Sequence, residues 1–175
     1  MLNYKYNLKE LIDMLEARDQ IDAFVADIFR FNLICDESFG IEELLFDTHI
    51  SVESKLKYLE HVLKGQLGSA FYAFLIQLIQ NNDIHYYEFI SKKFITLLSQ
   101  EKNCSYIEIM SATPVTAPQL ELIKVQMARI IHKEVFVYNS ISKKLLGGFI
   151  VNCGDKMLDM SIQGALDQFK TKLTR

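Results

Sequence analysis

The sequence predicts an α+β protein in which a six-helix bundle precedes a small mixed α/β domain with a short sheet and two helices. Two changes along the chain lead to this fold class. Up to about residue 102, apolar residues recur every three to four positions, which is the period of a helix. From residue 104 onwards apolar and polar residues alternate in short runs, as they do in strands. Half of the 175 residues are hydrophobic and only 23% are charged, so the chain has the composition of a folded protein.

The first part of the chain contains six helical segments separated by short breaks. The fourth has its own start and stop signals, because Ser51 is a good N-cap, Glu53 lies in the first turn, and Gly65 follows the last turn. The fifth is apolar around most of its circumference and is therefore expected at the centre of the bundle. In order, the predicted helices lie around residues 8–15, 21–29, 41–45, 51–65, 67–83 and 84–102.

The second part of the chain predicts strands and helices in alternation. Thr116 stands three residues before Gln119, the spacing of a capping box, and opens a helix. The stretch between Glu101 and Cys104 has no Gly or Pro, so the sixth helix should run almost into the first strand. The predicted domains are therefore residues 1–103 and 104–175. The predicted strands are CSYIEIMSA, EVFVYN, GGFIVNC and residues 156–159.

Charge and composition exclude several classes of protein. Residues 1–102 carry 10 Lys or Arg and 16 Asp or Glu, whereas residues 103–175 carry 9 and 6, so the two parts have net charges of −6 and +3. Neither has the strongly basic stripe of a nucleic-acid-binding protein. No apolar run approaches the roughly 20 residues of a membrane span, so no direct membrane insertion is expected. Three widely spaced Cys and four scattered His lack metal-ligand spacing, so neither a metal site nor a cofactor is predicted.

Residues 145–169, LLGGFIVNCGDKMLDMSIQGALDQF, have the glycines and acids of a possible phosphate or catalytic loop. A phosphate loop needs GxxxxGK[ST], but here Asp155 follows Gly154 where the lysine should stand. No His, Ser or Lys is placed to make an acid–base pair of Asp155 and Asp159 productive. A structural interpretation explains more of the stretch. Gly147 and Gly148 let the chain enter a strand, Gly154-Asp155 forms a hairpin turn, and Ser161 caps a last helix.

The same stretch resembles the C-terminal signature of the delta subunit of F-type ATP synthases, the oligomycin-sensitivity-conferring protein of mitochondria. That signature runs from a Gly-Gly pair through a strand, a Gly-Asp turn and an Asp-x-Ser strand end into a helix. ATPVTAPQLELIKVQMARIIHKEV and FLIQLIQNNDI are similar to two further family segments, so the resemblance covers almost the whole chain. The matching signature residues are Gly147, Gly148, Gly154, Asp155, Asp159 and Ser161.

The resemblance implies a non-catalytic stator subunit that links the catalytic head to the membrane-anchored peripheral stalk, so that proton or sodium flow is coupled to ATP synthesis. It implies that the helical domain binds the N-terminal helix of an alpha subunit and that the second domain binds the b subunits. The protein would be a monomer within a larger complex at the cytoplasmic face of a bacterial inner membrane. The alternative is a free-standing helical adaptor that binds an amphipathic peptide; a small enzyme is disfavoured because no polar pocket is predicted.

The groove for the alpha-subunit helix is expected between the first and fifth helices. Each of its residues has an alternative place in the protein core, and the sequence does not tell which side chains face inward. Two departures from the family pattern occur: Gln163 and Ala165 replace basic residues usual in the last helix, and the first helix opens with YKYNLKELIDM where the family commonly has small residues. The candidate groove residues are Leu8, Leu11, Ile12, Phe71, Phe74, Leu75, Leu78 and Ile79.

Overall fold

A computed structural model describes residues 6–38, 40–153 and 156–166 of the chain. It confirms the predicted α+β class, with helices first and a four-stranded sheet after them. The sixth predicted helix begins with a 3₁₀ turn over Ile84–Tyr86 that runs directly into an α-helix at Tyr87. The elements are α1 (Leu8–Ala17), α2 (Ile21–Glu37), α3 (Ile41–Phe46), α4 (Val52–Leu63), α5 (Ser69–Gln80), α6 (Tyr87–Glu101), β1 (Cys104–Ser111), α7 (Ala117–Ile131), β2 (Glu134–Ile141), β3 (Gly148–Cys153) and β4 (Lys156–Ser161).

Contacts between Cα atoms divide the chain into two compact units, Met1–Leu98 and Ser99–Arg175. The division falls in the last turn of α6. Only residues 102 and 103 separate α6 from β1, as the absence of Gly and Pro predicted. Asn103 has a φ of +49°, a left-handed conformation that Asn adopts more readily than most residues and that ends the helix. The functional boundary at residue 103 stays a prediction.

Aromatic side chains fill the centre of the helical unit. Phe24 of α2 lies with its ring centroid 5.2 Å from that of Phe71 and 5.0 Å from that of Phe94, so it joins α2, α5 and α6. Phe31 makes an edge contact with Tyr87 at 4.9 Å. Such ring pairs add to the free energy that burial of their apolar area supplies. The fifth helix is thus packed into the core, as its apolar circumference predicted.

A buried carboxylate connects α2 to the start of α5. Asp27 is 4% exposed, and its Oδ2 accepts a hydrogen bond from the backbone N–H of Gly68 at 2.7 Å. Arg30 donates to Asp27 Oδ1 at 3.0 Å and to the carbonyl of Gln66 at 3.1 Å. A buried charge needs partners of this kind, because an unpaired one would lose its hydration without compensation. The Gly68 N–H is one of the free donors at the start of α5, so Asp27 also caps that helix from a distance.

Two predicted helix starts are confirmed. The Ser51 hydroxyl accepts a hydrogen bond from the backbone N–H of Ser54 at 3.2 Å, which makes Ser51 the N-cap of α4. At α7 the backbone N–H of Thr116 donates to the side chain of Gln119 at 2.9 Å. Each bond satisfies a main-chain group that the helix itself leaves without a partner.

The C-terminal unit is a sheet with strand order β2-β1-β3-β4 and α7 packed on one face. β1 and β2 are parallel, with α7 as the connection between them, whereas β1–β3 and β3–β4 are antiparallel. β2 and β4 each run two residues beyond their predicted ends, because cross-strand pairing continues there. The core of this unit consists of Ile107, Ile109, Val135 and Val151, with Leu120, Ile123, Met127 and Ile131 of α7 packed against it.

Candidate partner-binding surfaces

The helical unit has a surface depression between α1 and α5, here called the α1–α5 groove. Its apolar lining comes from Leu8, Leu11 and Met14 of α1 and from Phe74 of α5, and its volume is about 450 Å³. Met14 is 42% exposed, Leu11 is half-buried, and Leu8 and Phe74 show only their edges. Glu10 is the charged residue of the lining. Polar side chains also line the groove, but a depression between two helices that exposes Met14 and part of Leu11 can accept the apolar face of a third helix.

The structure separates the eight predicted groove residues into two groups. Leu8, Leu11 and Phe74 line the α1–α5 groove. The other five are at most 1% exposed and belong to the packed interior, where they hold α1 and α5 in place: Ile12, Phe71, Leu75, Leu78 and Ile79. In this conformation, those five support the groove from behind and do not form its surface.

Met14 and Tyr6 line the groove but are absent from the sequence-derived set. Leu8, Ile12 and Leu15 form the inward face of α1, and Met14 lies three residues after Leu11 on the adjoining face. That i, i+3 spacing is a signal in the sequence, since residues three apart neighbour each other on a helix surface. Tyr6 lies before the start of α1, so the helical periodicity of the sequence does not predict that it lines the groove.

Tyr6 is held by hydrogen bonds that tie the start of α1 to the end of α5. Its hydroxyl donates to Oδ2 of Asp83 at 2.8 Å and accepts from the side-chain amide of Asn81 at 3.0 Å. Both partners lie in the NND break that follows α5. Burial raises the pKa of Tyr6 to about 12; the bond from Asn81 opposes this shift and Asp83 adds to it. Tyr6 therefore fixes the spacing of α1 and α5 at one end of the groove.

Replacing Tyr6 by phenylalanine is expected to lower the free energy of unfolding by about 1–2 kcal/mol, because it removes buried hydrogen bonds and keeps the ring. A tyrosine whose pKa is higher in the folded state contributes stability below its unfolded pKa of 10.0, and that contribution is lost as the pH rises through about 12. Urea unfolding followed by circular dichroism should therefore show a smaller difference between wild type and Tyr6→Phe at pH 11 than at pH 8. Tyr58→Phe, at a half-buried position of α4, is the control, and equal effects of the two variants would contradict the prediction.

In the C-terminal unit, the described signature residues form a structural joint. Gly148 pairs with Ser161 across β3 and β4, and the carbonyl of Gly147 accepts from the N–H of Ile162 at 3.0 Å. Asp159 Oδ1 accepts from the N–H of Ser161 at 2.8 Å, and Ser161 Oγ accepts from the N–H of Gly164 at 3.0 Å, so Ser161 caps the helical segment 162–166. The hydrogen bonds from Ser161 lower the pKa of Asp159. The predicted turn at Gly154 and Asp155 lies outside the described residues.

The C-terminal unit also exposes large apolar side chains. On α7, Leu122 is 65% exposed and lies on the side turned away from the sheet core. The edge strand β4 leaves three of its side chains at least 49% exposed, although edge strands commonly carry charges. Surfaces of this composition are typical of protein–protein contacts. The main exposed residues are Leu122, Val125, Ile130, Leu146, Met157, Leu158, Met160, Ile162 and Leu166.

Within residues 6–38, 40–153 and 156–166 no three His, Cys, Asp or Glu side chains meet in a way that could hold a metal ion. In the same ranges no helix is long and apolar enough to cross a membrane. Cys35, Cys104 and Cys153, which all lie within these ranges, form no disulfide bond with one another.

A groove with exposed apolar side chains in one unit and exposed large apolar side chains in the other are features of a protein-binding module. The profile of the ATP synthase delta (OSCP) subunit family matches residues 9–173. The chain is 26% identical over 165 residues to ATP synthase subunit delta of Protochlamydia amoebophila, covering 94% of this chain and 91% of that protein. It is also 26% identical over 167 residues to the delta subunit of Acetivibrio thermocellus, covering 95% and 93%.

The fold has a counterpart among solved structures. A chain in the Toxoplasma gondii mitochondrial ATP synthase hexamer superimposes with a TM-score of 0.56 at 15% identity, over 96% of this chain and 95% of that one. This chain belongs to the ATP synthase delta (OSCP) subunit family. Its function is that of a non-catalytic stator component of an F-type ATP synthase, and it is not an enzyme by itself.

Proposed function

We propose that the α1–α5 groove receives the amphipathic N-terminal helix of an alpha subunit and that the C-terminal unit binds the b subunits of the peripheral stalk. The observation that carries the first part is the position of Met14, exposed beside half-buried Leu11 and the edge of Phe74. A link that resists rotor torque needs such burial of apolar anchors, because a few fully desolvated side chains supply most of the binding energy.

The surface of the C-terminal unit supports the second part of the proposal. Its exposed apolar residues on α7 and β4 offer the contact area that a helical stalk requires. Residues 103–175 carry a net charge of +3, in contrast to −6 for residues 1–102, so the two units favour different partners. Gln163 and Ala165, where the family usually has basic residues, are exposed in the helical segment 162–166. Neither side chain is charged, so a basic contact with the b subunits is absent at these two positions.

The proposed arrangement uses residues 1–103 for the catalytic head and residues 104–175 for the stalk. The protein acts as one copy within the complex and lies at the cytoplasmic face of a bacterial inner membrane, held there through its partners. The relatives from Protochlamydia amoebophila and Acetivibrio thermocellus support a bacterial source for the chain.

Calorimetric titration of the full chain with the N-terminal peptide of the alpha subunit from the same organism tests the proposal. We expect saturable binding, and we expect Met14→Asp to weaken it about tenfold or more, because a buried carboxylate would face the apolar side of the peptide. Met157→Asp is the matched control, because Met157 is also exposed but lies in the C-terminal unit. No binding to folded wild-type protein, or equal losses in both variants, would refute the α1–α5 groove as the site of the alpha-subunit helix.

A further inference from the structure

A second depression borders the other side of α1, between α1 and α6, and is here called the α1–α6 groove. It has a volume of about 280 Å³. Leu8 and Ile90 form its floor, since they are 7% and 3% exposed, and Leu97 is half-buried at its side. Phe89 is 56% exposed at the groove, the largest exposed fraction of any large apolar side chain in the described helical unit. The α1–α6 groove therefore has the apolar floor and aromatic edge of a helix-docking surface.

The charge of the α1–α6 groove is opposite to that of the unit around it. Among the described residues that line it, the charged ones are Lys9 and Lys93, and none is acidic. Lys9 is exposed and Lys93 is half-buried, so the two ammonium groups flank an apolar strip. Residues 1–102 as a whole carry a net charge of −6, and the charged residue lining the α1–α5 groove is Glu10. The two sides of α1 thus present apolar surfaces with different electrostatic surroundings.

A comparison of Lys93 with its neighbour Lys92 shows that the positive charge of Lys93 lies specifically at the α1–α6 groove. Lys92 lies next to Lys93 in α6, but its Nζ is 2.8 Å from a carboxylate oxygen of Glu88. Lys92 and Glu88 line a different depression, on the side of α6 that faces Cys35 and Phe46. The helical period therefore directs two adjacent lysines to two surfaces, one of them paired with an acid and the other beside Phe89.

We propose that the α1–α6 groove is a second docking site, for an amphipathic helical segment whose apolar face is flanked by Asp or Glu. Leu8, Ile90 and Phe89 receive the apolar anchors, and Lys9 and Lys93 pair with the flanking carboxylates. Complementary charge sets the orientation of the segment and speeds its association, whereas the apolar contact supplies most of the affinity. Leu8 lines both grooves at the start of α1, but Phe89, Ile90 and the two lysines line the α1–α6 groove and not the α1–α5 groove. The proposal therefore does not require a particular segment in the α1–α5 groove.

Two synthetic peptides test the proposal on the full chain. Both are amphipathic helices of about 20 residues with the same Leu and Phe anchors, one with Glu and one with Lys beside the apolar face. Fluorescence anisotropy of the labelled peptides at low salt should show the Glu peptide binding about tenfold or more tightly than the Lys peptide. This difference in affinity between the two peptides should decrease as the salt concentration is raised, because charges near the surface are screened over about 8–10 Å.

Point variants locate the binding. Lys93→Glu and Phe89→Ala should each lower the affinity of the protein for the Glu peptide about tenfold, whereas Lys92→Glu should change that affinity less than about twofold. Lys92→Glu is a matched control, since it makes the same change of charge at the adjacent position. Both lysines and Phe89 lie at least partly in solvent, so none of the three substitutions opens a cavity in the core.

Several outcomes would overturn the α1–α6 site. One is absence of binding of the Glu peptide to folded protein, and another is equal losses in Lys92→Glu and Lys93→Glu, which would mean attraction to overall charge. A third is loss of Glu-peptide binding in the Met14→Asp variant, which would place the binding site of that peptide in the α1–α5 groove. Binding of the alpha-subunit peptide to Lys93→Glu should stay at the wild-type level. That measurement separates failure of this site from failure of the α1–α5 groove.

Discussion

Replacing Gly148 by alanine is expected to lower the free energy of unfolding by about 3 kcal/mol or more, because backbone strain and steric overlap occur together at this position. Gly148 has a φ of +79°, where side chains other than hydrogen are disfavoured. A Cβ built on it would overlap the carbonyl oxygen of Met160 and lie 2.9 Å from Cα of Ser161. These are main-chain atoms of the paired strand β4, so no side-chain rotation can relieve the overlap. The β3–β4 pairing would have to separate.

Gly147→Ala is the matched control for this prediction. A Cβ at Gly147 would meet the tip of the Ile162 side chain at 2.5 Å, and that side chain is 52% exposed and free to move. The expected cost is below about 1 kcal/mol, as for substitutions that a flexible neighbour accommodates. The chain has no Trp, so urea unfolding is best followed by circular dichroism. Equal destabilisation by the two substitutions would show that the close approach of β4 at Gly148 does not govern stability.

The helices and their caps were predictable because their signals are local. Helical period, the Ser51 cap and the Thr116–Gln119 spacing lie within a few residues of the structure they specify. The 3₁₀ form of the first turn of the sixth predicted helix was not predictable, because Ile84–Tyr86 run directly into α6 at Tyr87 without a break in the chain. The run Ile84 to Tyr86 is apolar and aromatic, and its composition alone does not distinguish a 3₁₀ turn from the first turn of an α-helix.

The groove was only partly predictable because periodicity gives a face of a helix but not the partner that covers it. Phe74 and Leu75 are neighbours on α5, yet Phe74 reaches the groove and Leu75 is fully buried. That difference depends on α1, whose position depends in turn on the contact of Tyr6 with Asp83, 77 residues away in the sequence.

The signature glycine Gly148 was placed correctly at a strand entry. The sequence does not show why glycine is required there, because the main chain of Met160 and Ser161 comes close to Gly148 only when β4 pairs with β3.

Phe24→Ala is expected to lower the free energy of unfolding by about 3–5 kcal/mol, the usual cost of removing a buried phenyl ring and leaving its cavity. Phe24 is 2% exposed, and its ring lies 5.2, 5.7 and 5.0 Å from those of Phe71, Phe74 and Phe94. Three helices lose their common contact at once, so little of the cavity can be closed by one side chain moving in. The loss should appear as an earlier urea midpoint in the circular dichroism signal at 222 nm, where helices dominate.

The functional consequence of Phe24→Ala follows from the position of Phe74. Phe74 contacts Phe24 on its inner side and lines the α1–α5 groove on its outer side, so a cavity behind it lets the groove wall move inward. We expect the alpha-subunit peptide to bind the variant about tenfold more weakly even under conditions where the protein stays folded, because ordering the loosened wall then costs binding energy. Phe89→Ala is the control, since Phe89 is 56% exposed and lies on the other side of α1. It should leave both stability and this binding within about 0.5 kcal/mol of wild type. Unchanged affinity in folded Phe24→Ala would mean that the groove wall does not depend on the aromatic core behind it.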